Sequence, residues 1–244
     1  MVDVKRPPPR DRRDESILSA LLTFVSRIIQ ALFVAWVLAV LIEFIGMTWG
    51  WSNQGVAHSR ELLQVEQQSL ERGVQRHVLN RDPRGFGVQL AHHLTQGLFG
   101  FTHLDAVMTW ATTPPTRNED RVRAALRRGV NTLVKYLIAA KQVTQIYGLR
   151  LAVLILALPV FALFGVVGIV EGLVRRDLRR WRGGRESAFI YHWYKRFGLP
   201  IAGVGCALYL VLPLSVTPEQ AITPLATTLA LAVSNSAASF KKYL

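Results

Sequence analysis

The sequence predicts an all-α membrane protein with four transmembrane helices and a helical domain over residues 50–150, between spans one and two. Three observations predict it. The apolar residues are gathered into four long runs. Basic residues cluster on the flanks of those runs. The stretch between the first two runs repeats its apolar residues at three- and four-residue steps. Half of the 244 residues are apolar and 18% are charged, proportions that a soluble domain can share, so the distribution decides. Unbroken apolar runs exclude a disordered chain, a coiled coil and a simple soluble globule. Cys206 is the single cysteine and cannot form an intrachain disulfide.

Residues 1–27 form a basic tail. Its first sixteen residues, with three consecutive prolines and alternating charge, have nothing to pack, and they read as a disordered topogenic signal or a docking arm. The first span is Ile28–Trp49, which holds one charge, Glu43, in a run long enough to cross the hydrocarbon. Its apolar core is too long for a cleavable signal peptide, and no small-residue cleavage pattern follows it, so it reads as a signal anchor. Glu43 lies about two turns before Trp49. It reaches the outer interface, contacts a partner helix, or marks an ion path.

Within 50–150, Leu62, Leu63, Leu70, Val74 and Val78 line one face of a helix, with Arg60, Glu61, Glu71, Arg72 and Arg76 on the other. The cluster Asn80-Arg81-Asp82-Pro83-Arg84-Gly85 ends it. An apolar, aromatic stretch follows as far as Thr113-Pro114-Pro115. Thr116 to Glu119 then has capping-box spacing, and Val122, Leu126, Val130, Leu133, Leu137 and Ala140 run at helical period toward span two, with no breaker before Gly148.

Span two is Leu151–Val170, with Pro159 inside it; Gly165, Gly168 and Gly172 give it a small-residue face. Residues 171–198 are the most basic stretch, carrying Arg175, Arg176, Arg179, Arg180, Arg182, Arg185, Lys195 and Arg196, with Trp193 among them. Three readings stand for this block: a headgroup-facing belt on anionic lipid, a binding surface for a partner protein, and, most weakly, direct contact with nucleic acid. Span three is Leu199–Ser215. Span four is Ala221–Phe240, with Pro224 inside it and Ala226, Ala230, Ser234 and Ala238 on one stripe. Thr217-Pro218-Glu219-Gln220 has capping-box spacing with proline at the first helical position, which starts that helix. The stripes of span two and span four pack within the chain's own bundle or dock another subunit. Residues 241–244 form a short basic tail.

The flanking charges set the orientation. The tail 1–27, the segment 171–198 and the end of the chain are basic, whereas the turn 217–220 carries only Glu219. Both termini and 171–198 are therefore expected in the cytoplasm, and 50–150 on the far side. The whole chain is strongly basic, with 29 Lys+Arg against 16 Asp+Glu and a net charge of +13, which calls for an anionic partner, either nucleic acid or the acidic inner face of a membrane.

Catalytic signatures are missing. No nucleotide-binding P-loop, HExxH, CxxC or GxSxG occurs. His58, His77, His92, His93 and His103 share no spacing that pairs two of them on one helix face with a carboxylate. No metal, cofactor or enzymatic activity is expected.

Several blocks of the sequence are specific: W-G-W-S-N-Q-G at Trp49–Gly55, VEGLVRRDLRRWRGGRESAFIYHWYKR at Val170–Arg196, YLVLPLSVTPEQAITPLA at Tyr209–Ala226, and the ending SFKKYL. With them the chain resembles the integrating-conjugative-element membrane protein family of conjugative type IV secretion loci, over nearly its whole length beyond the N-terminal tail. The resemblance implies a bacterial inner-membrane protein with a periplasmic 50–150 domain, encoded near the coupling ATPase that feeds DNA to the secretion channel. It implies that ATPase and other secretion subunits as partners, and it assigns no catalytic residue. A homo-oligomer, a small pore or transporter component, and an exclusion protein that blocks redundant transfer are open alternatives.

Overall fold

The computed structural model describes residues 17–51, 55–73, 83–100, 106, 109, 121–181 and 199–238, and among these every regular element is a helix. Seven helices follow in order: α1 Ile17–Ile45, α2 Val56–Gly73, α3 Pro83–Thr95, α4 Arg121–Leu156, α5 Leu158–Trp181, α6 Leu199–Val211 and α7 Pro218–Ala238. α1 and α3 each end in a widened π turn, Gly46–Gly50 and Gln96–Gly100. Gly46 is needed for the first of these, because a Cβ there would lie 1.9 Å from the Trp51 ring. Gly55, at φ +50°, then turns the chain into α2.

α4 is the axis on which the first three helices assemble. α1 runs antiparallel to it: Phe44 meets Tyr136 edge-on, Trp36 Nε1 donates to Thr144 Oγ1, and Tyr147 Oη donates to the Leu32 carbonyl. α2 runs parallel to α4, with Ser59 bonded to Gln142 and Glu66 to Arg150. α3 crosses closest at Gly148, where a Cβ would lie 2.5 Å from the Ala91 Cα. That close approach explains why a glycine is carried through the helix here rather than ending it. The core joins Leu70, Ala91, Leu149 and Val153 to Tyr209 and Ala221, so α6 and α7 close onto the same bundle. On the stripe expected for α4, Val130 and Leu137 pack around buried Val134, but Leu133 is exposed.

Among the described residues three helices are long and apolar enough to cross a membrane: Ser19–Gly50, Leu158–Arg179 and Pro218–Ala238. The first and last overlap the runs expected as spans one and four, but α1 starts at Ile17, inside the stretch expected as the basic tail 1–27. The second differs from the expected 151–170. Pro159 has no N–H to give the Ile155 carbonyl, and the helix breaks at Ala157. The Ala157 N–H still reaches the Val153 carbonyl, and Phe161 the Ala157 carbonyl, so the chain kinks there without separating. The first six residues of the expected span belong to α4, where Ala152, Val153 and Leu156 are buried in the bundle. The third expected span also differs. α6 is apolar but only 13 residues long, about 20 Å of helix, because Pro213 follows its end. α7 starts at Pro218, as its capping residues predict, with the Ala221 N–H on the Thr217 carbonyl.

Candidate functional site

The arginines beyond span two fall on the last turns of α5. The Arg175 and Arg176 region leaves the apolar helix directly, with Leu173, Val174 and Leu178 exposed among the charges. Arg175 pairs with Glu171 one turn back, and Arg176 approaches Asp177 at 3.7 Å. The Arg175 pair is solvent-facing and contributes little to stability, whereas Arg176 is half-buried and its Nε has no hydrogen-bond partner. Arg179 is half-buried and Arg180 lies in the same turn of helix. The expected partner residues Arg182, Arg185, Trp193, Lys195 and Arg196 lie outside the described residues, as do His77, His103, the Thr116–Glu119 cap, residues 1–16 of the basic tail and residues 241–244.

The two small-residue stripes meet each other. Gly168 faces the Ala230 carbonyl and Gly172 faces the Ser234 carbonyl, where added Cβ atoms would sit 2.5 Å and 2.4 Å from oxygen. Ala226, Ser234 and Ala238 are buried in this seam. The register advances in the same direction along both helices, so α5 and α7 are parallel. Gly165 faces open space.

Glu43 is 2% exposed, on the face of α1 that also buries Ala35, Ala39 and Gly46. It lies near His58, Ser59 and Trp51, and its Oε1 has no hydrogen-bond partner. The indole of Trp51 stacks on the His58 ring at 4.2 Å. A cavity of about 20 Å³ opens between Glu43, Ala39, Leu62, Val143 and Arg150. His92 and His93 are exposed on α3, and among the described residues no group of His, Cys, Asp or Glu converges to hold a metal.

The most connected polar group is Arg150, which the sequence pattern leaves unremarked at the end of the 50–150 segment. It is 2% exposed. Its Nε and Nη2 donate to Glu66 Oε1 at 2.9 and 2.6 Å. Its Nη1 donates to the carbonyls of Tyr209 and Leu212, and Nη2 also to that of Leu214. Every guanidinium N–H is thus used. The Tyr209 ring lies 5.5 Å below the guanidinium carbon. Burial pushes the Glu66 carboxyl above its ordinary pKa, against the pull of the Arg150 guanidinium. One signal was available in the sequence. Glu66 falls on the apolar stripe of α2, four residues from both Leu62 and Leu70, and a charge there needs a buried partner.

This arrangement ties three elements together: α2, the kinked α4 and the turn between α6 and α7. It leaves Arg150 no donor for a ligand. The charge of Arg175, by contrast, is at the surface, and Arg176 and Arg179 are half-buried. No curated protein and no solved structure matches the chain. A family model does, over residues 49–241, from the start of the Trp-Gly-Trp turn almost to the end of the sequence. It is the model of the DtrJ-like proteins, described as IncC plasmid conjugative DNA transfer proteins. The chain belongs to the DtrJ-like family of conjugative DNA transfer proteins.

Proposed function

We propose that this chain is a non-enzymatic inner-membrane accessory subunit of a conjugative type IV secretion system, anchoring or bridging the coupling ATPase to the channel. The observation that carries this reading is the end of α5, where an apolar helix long enough to cross a membrane runs directly into Arg175, Arg176, Arg179 and Arg180. Arginines just beyond a span suit the cytoplasmic side. A cluster of them next to exposed Leu173 and Val174 suits an acidic protein surface docking beside the membrane. Both termini then lie in the cytoplasm and the α2–α4 bundle faces the periplasm. Conjugative transfer needs a motor, and the sequence carries no nucleotide-binding loop, so in this reading the motor is a separate subunit. Anionic lipid headgroups share the same arginines, and direct contact with the transferred DNA has no role.

Reversing all four charges to glutamate is expected to reduce transfer to the level of a strain lacking the gene, while the protein still fractionates with the membrane. Co-purification of the coupling ATPase with a C-terminally tagged chain should be lost in the same variant. Normal transfer with all four reversed would remove α5 as the docking site.

The partnerless Oε1 of buried Glu43 favours a second reading, a small pore or transporter component. In that case Glu43→Gln abolishes transfer while membrane assembly and ATPase recovery stay normal.

A further inference from the structure

α6 ends in a shortage of donors. The last four carbonyls of a helix have no partner within it. Here the Leu212 N–H reaches the Leu208 carbonyl, and Arg150 Nη1 takes that of Tyr209, which Pro213 has no N–H to serve. Among the described residues no backbone N–H reaches the carbonyls of Leu210 and Val211. Helix carbonyls point toward the C-terminus, so these two oxygens look past the end of α6, where the helix dipole is negative.

The cavity beside Glu43 opens at this end. Its volume is about 20 Å³, and its wall is made by Glu43 of α1, Arg150 of α4 and residues 210–213, with aliphatic side chains between them. About 10–15 Å³ suffices for one particle the size of a water molecule. Glu43 is 2% exposed, and its Oε1 has no hydrogen-bond partner. Arg150 cannot serve it, since its N–H groups are taken by Glu66 and three carbonyls. The other polar neighbours of Glu43 are His58, Trp51 and Ser59, and Ser59 gives its hydroxyl to Gln142. The charges do not balance either. Glu43 and Glu66 stand against one guanidinium, which leaves one carboxylate unmatched. A buried charge without a counter-charge is costly.

We propose that this cavity binds one monovalent metal cation of the Na+ kind, held by Glu43 Oε1 and the carbonyls of Leu210 and Val211. Ligands that are all oxygen suit a hard cation. One unmatched charge suits a monovalent ion, whereas Mg²⁺ demands a near-ideal octahedral shell. Structural zinc takes cysteine and histidine, and neither lines this cavity. The ion fastens α1 to the end of α6, adding a fourth element to the three that Arg150 joins. The site is separate from the docking role at the end of α5 and does not depend on it.

The test uses the full chain, purified in a non-ionic detergent and exchanged into choline chloride at fixed ionic strength. Replacing choline stepwise by Na+ is expected to raise the thermal unfolding midpoint by a few degrees and then to level off as the site fills. Glu43→Gln keeps the size of the side chain, removes its charge, and should abolish the rise. His58→Gln should retain it. The sodium NMR line of the same samples reads binding without reference to stability, and it should be broader with the native chain than with Glu43→Gln. Equal midpoints in choline and Na+, with no excess broadening, would overturn the cation and leave Glu43 neutralised by a proton or by His58. A rise of the same size in Glu43→Gln would place the bound ion elsewhere on the chain. Loss of the rise in His58→Gln as well would move the site to the His58 side of the carboxylate and overturn the carbonyl ligands.

Discussion

Arg150→Met is expected to destabilise the bundle by about 3–5 kcal/mol, because it strands the buried Glu66 carboxylate. That is a large share of the roughly 5–15 kcal/mol by which a folded domain is stable. The loss spreads further than one pair. The carbonyls of Tyr209, Leu212 and Leu214 lose their donor together, so the turn that launches α7 is freed at the same time as α2. Arg150→Lys should rescue little: an ammonium keeps the charge but cannot fill five planar donor positions at once. The double variant Arg150→Met with Glu66→Met removes both charges and should recover much of the stability lost in the single one. What remains lost measures the three stranded carbonyls. Thermal unfolding of the detergent-solubilised protein, compared across the three variants, checks the order. Equal midpoints for Arg150→Met and the native chain would show that the pair is not holding the bundle.

The second large effect is expected at the seam of α5 and α7. Gly168→Leu and Gly172→Leu each drive a side chain into a backbone carbonyl of α7, and a carbonyl cannot swing aside as a flexible side chain can. Overpacking of this kind costs about 1–3 kcal/mol per site, and the two sites lie on one seam, so the double variant should pull the helices apart. Gly165 is the internal control. A Cβ there meets nothing within 4 Å, and Gly165→Ala should be neutral or stabilising by up to about 1 kcal/mol. Cross-linking between cysteines placed at Leu173 and Ala237 reports the seam directly. It should be retained in Gly165→Ala and lost in Gly168→Leu/Gly172→Leu. Retention in the latter would mean that the helices meet elsewhere.

Much of this architecture is legible in the sequence, and the exceptions have physical causes. The apolar runs locate α1, α5 and α7, because a stretch of that length and composition has little choice of environment. Pro218 and its neighbours place the start of α7 to the residue. The small-residue stripes on α5 and α7 are visible at four-residue spacing, although spacing alone does not say that they face each other. The α4–α5 boundary is displaced, because hydropathy cannot tell an apolar stretch packed against protein from one packed against lipid. Residues 151–156 satisfy both descriptions and are claimed by the bundle. Arg150 and Glu66 are hidden for a related reason. They lie 84 positions apart, and a charge on an amphipathic helix reads as surface until its partner is known. Glu43 is conspicuous by contrast, since nothing around it in the sequence is polar.

The parallel course of α5 and α7 constrains how the chain is made. Neighbouring helices joined by a short turn can enter a bilayer together as a hairpin, but parallel helices cannot. α6 has to bring the chain back across before α7 can start in the same direction as α5, and α6 is antiparallel to α7, with Gly205 against Leu225 and Tyr209 in one cluster with Ala221. In the proposed membrane arrangement the α6–α7 hairpin is therefore a unit of insertion, whereas the glycine seam closes only after the last helix has been synthesised. A chain stalled before Pro218 would leave Gly168 and Gly172 without the Ala230 and Ser234 carbonyls that cover them in the finished protein.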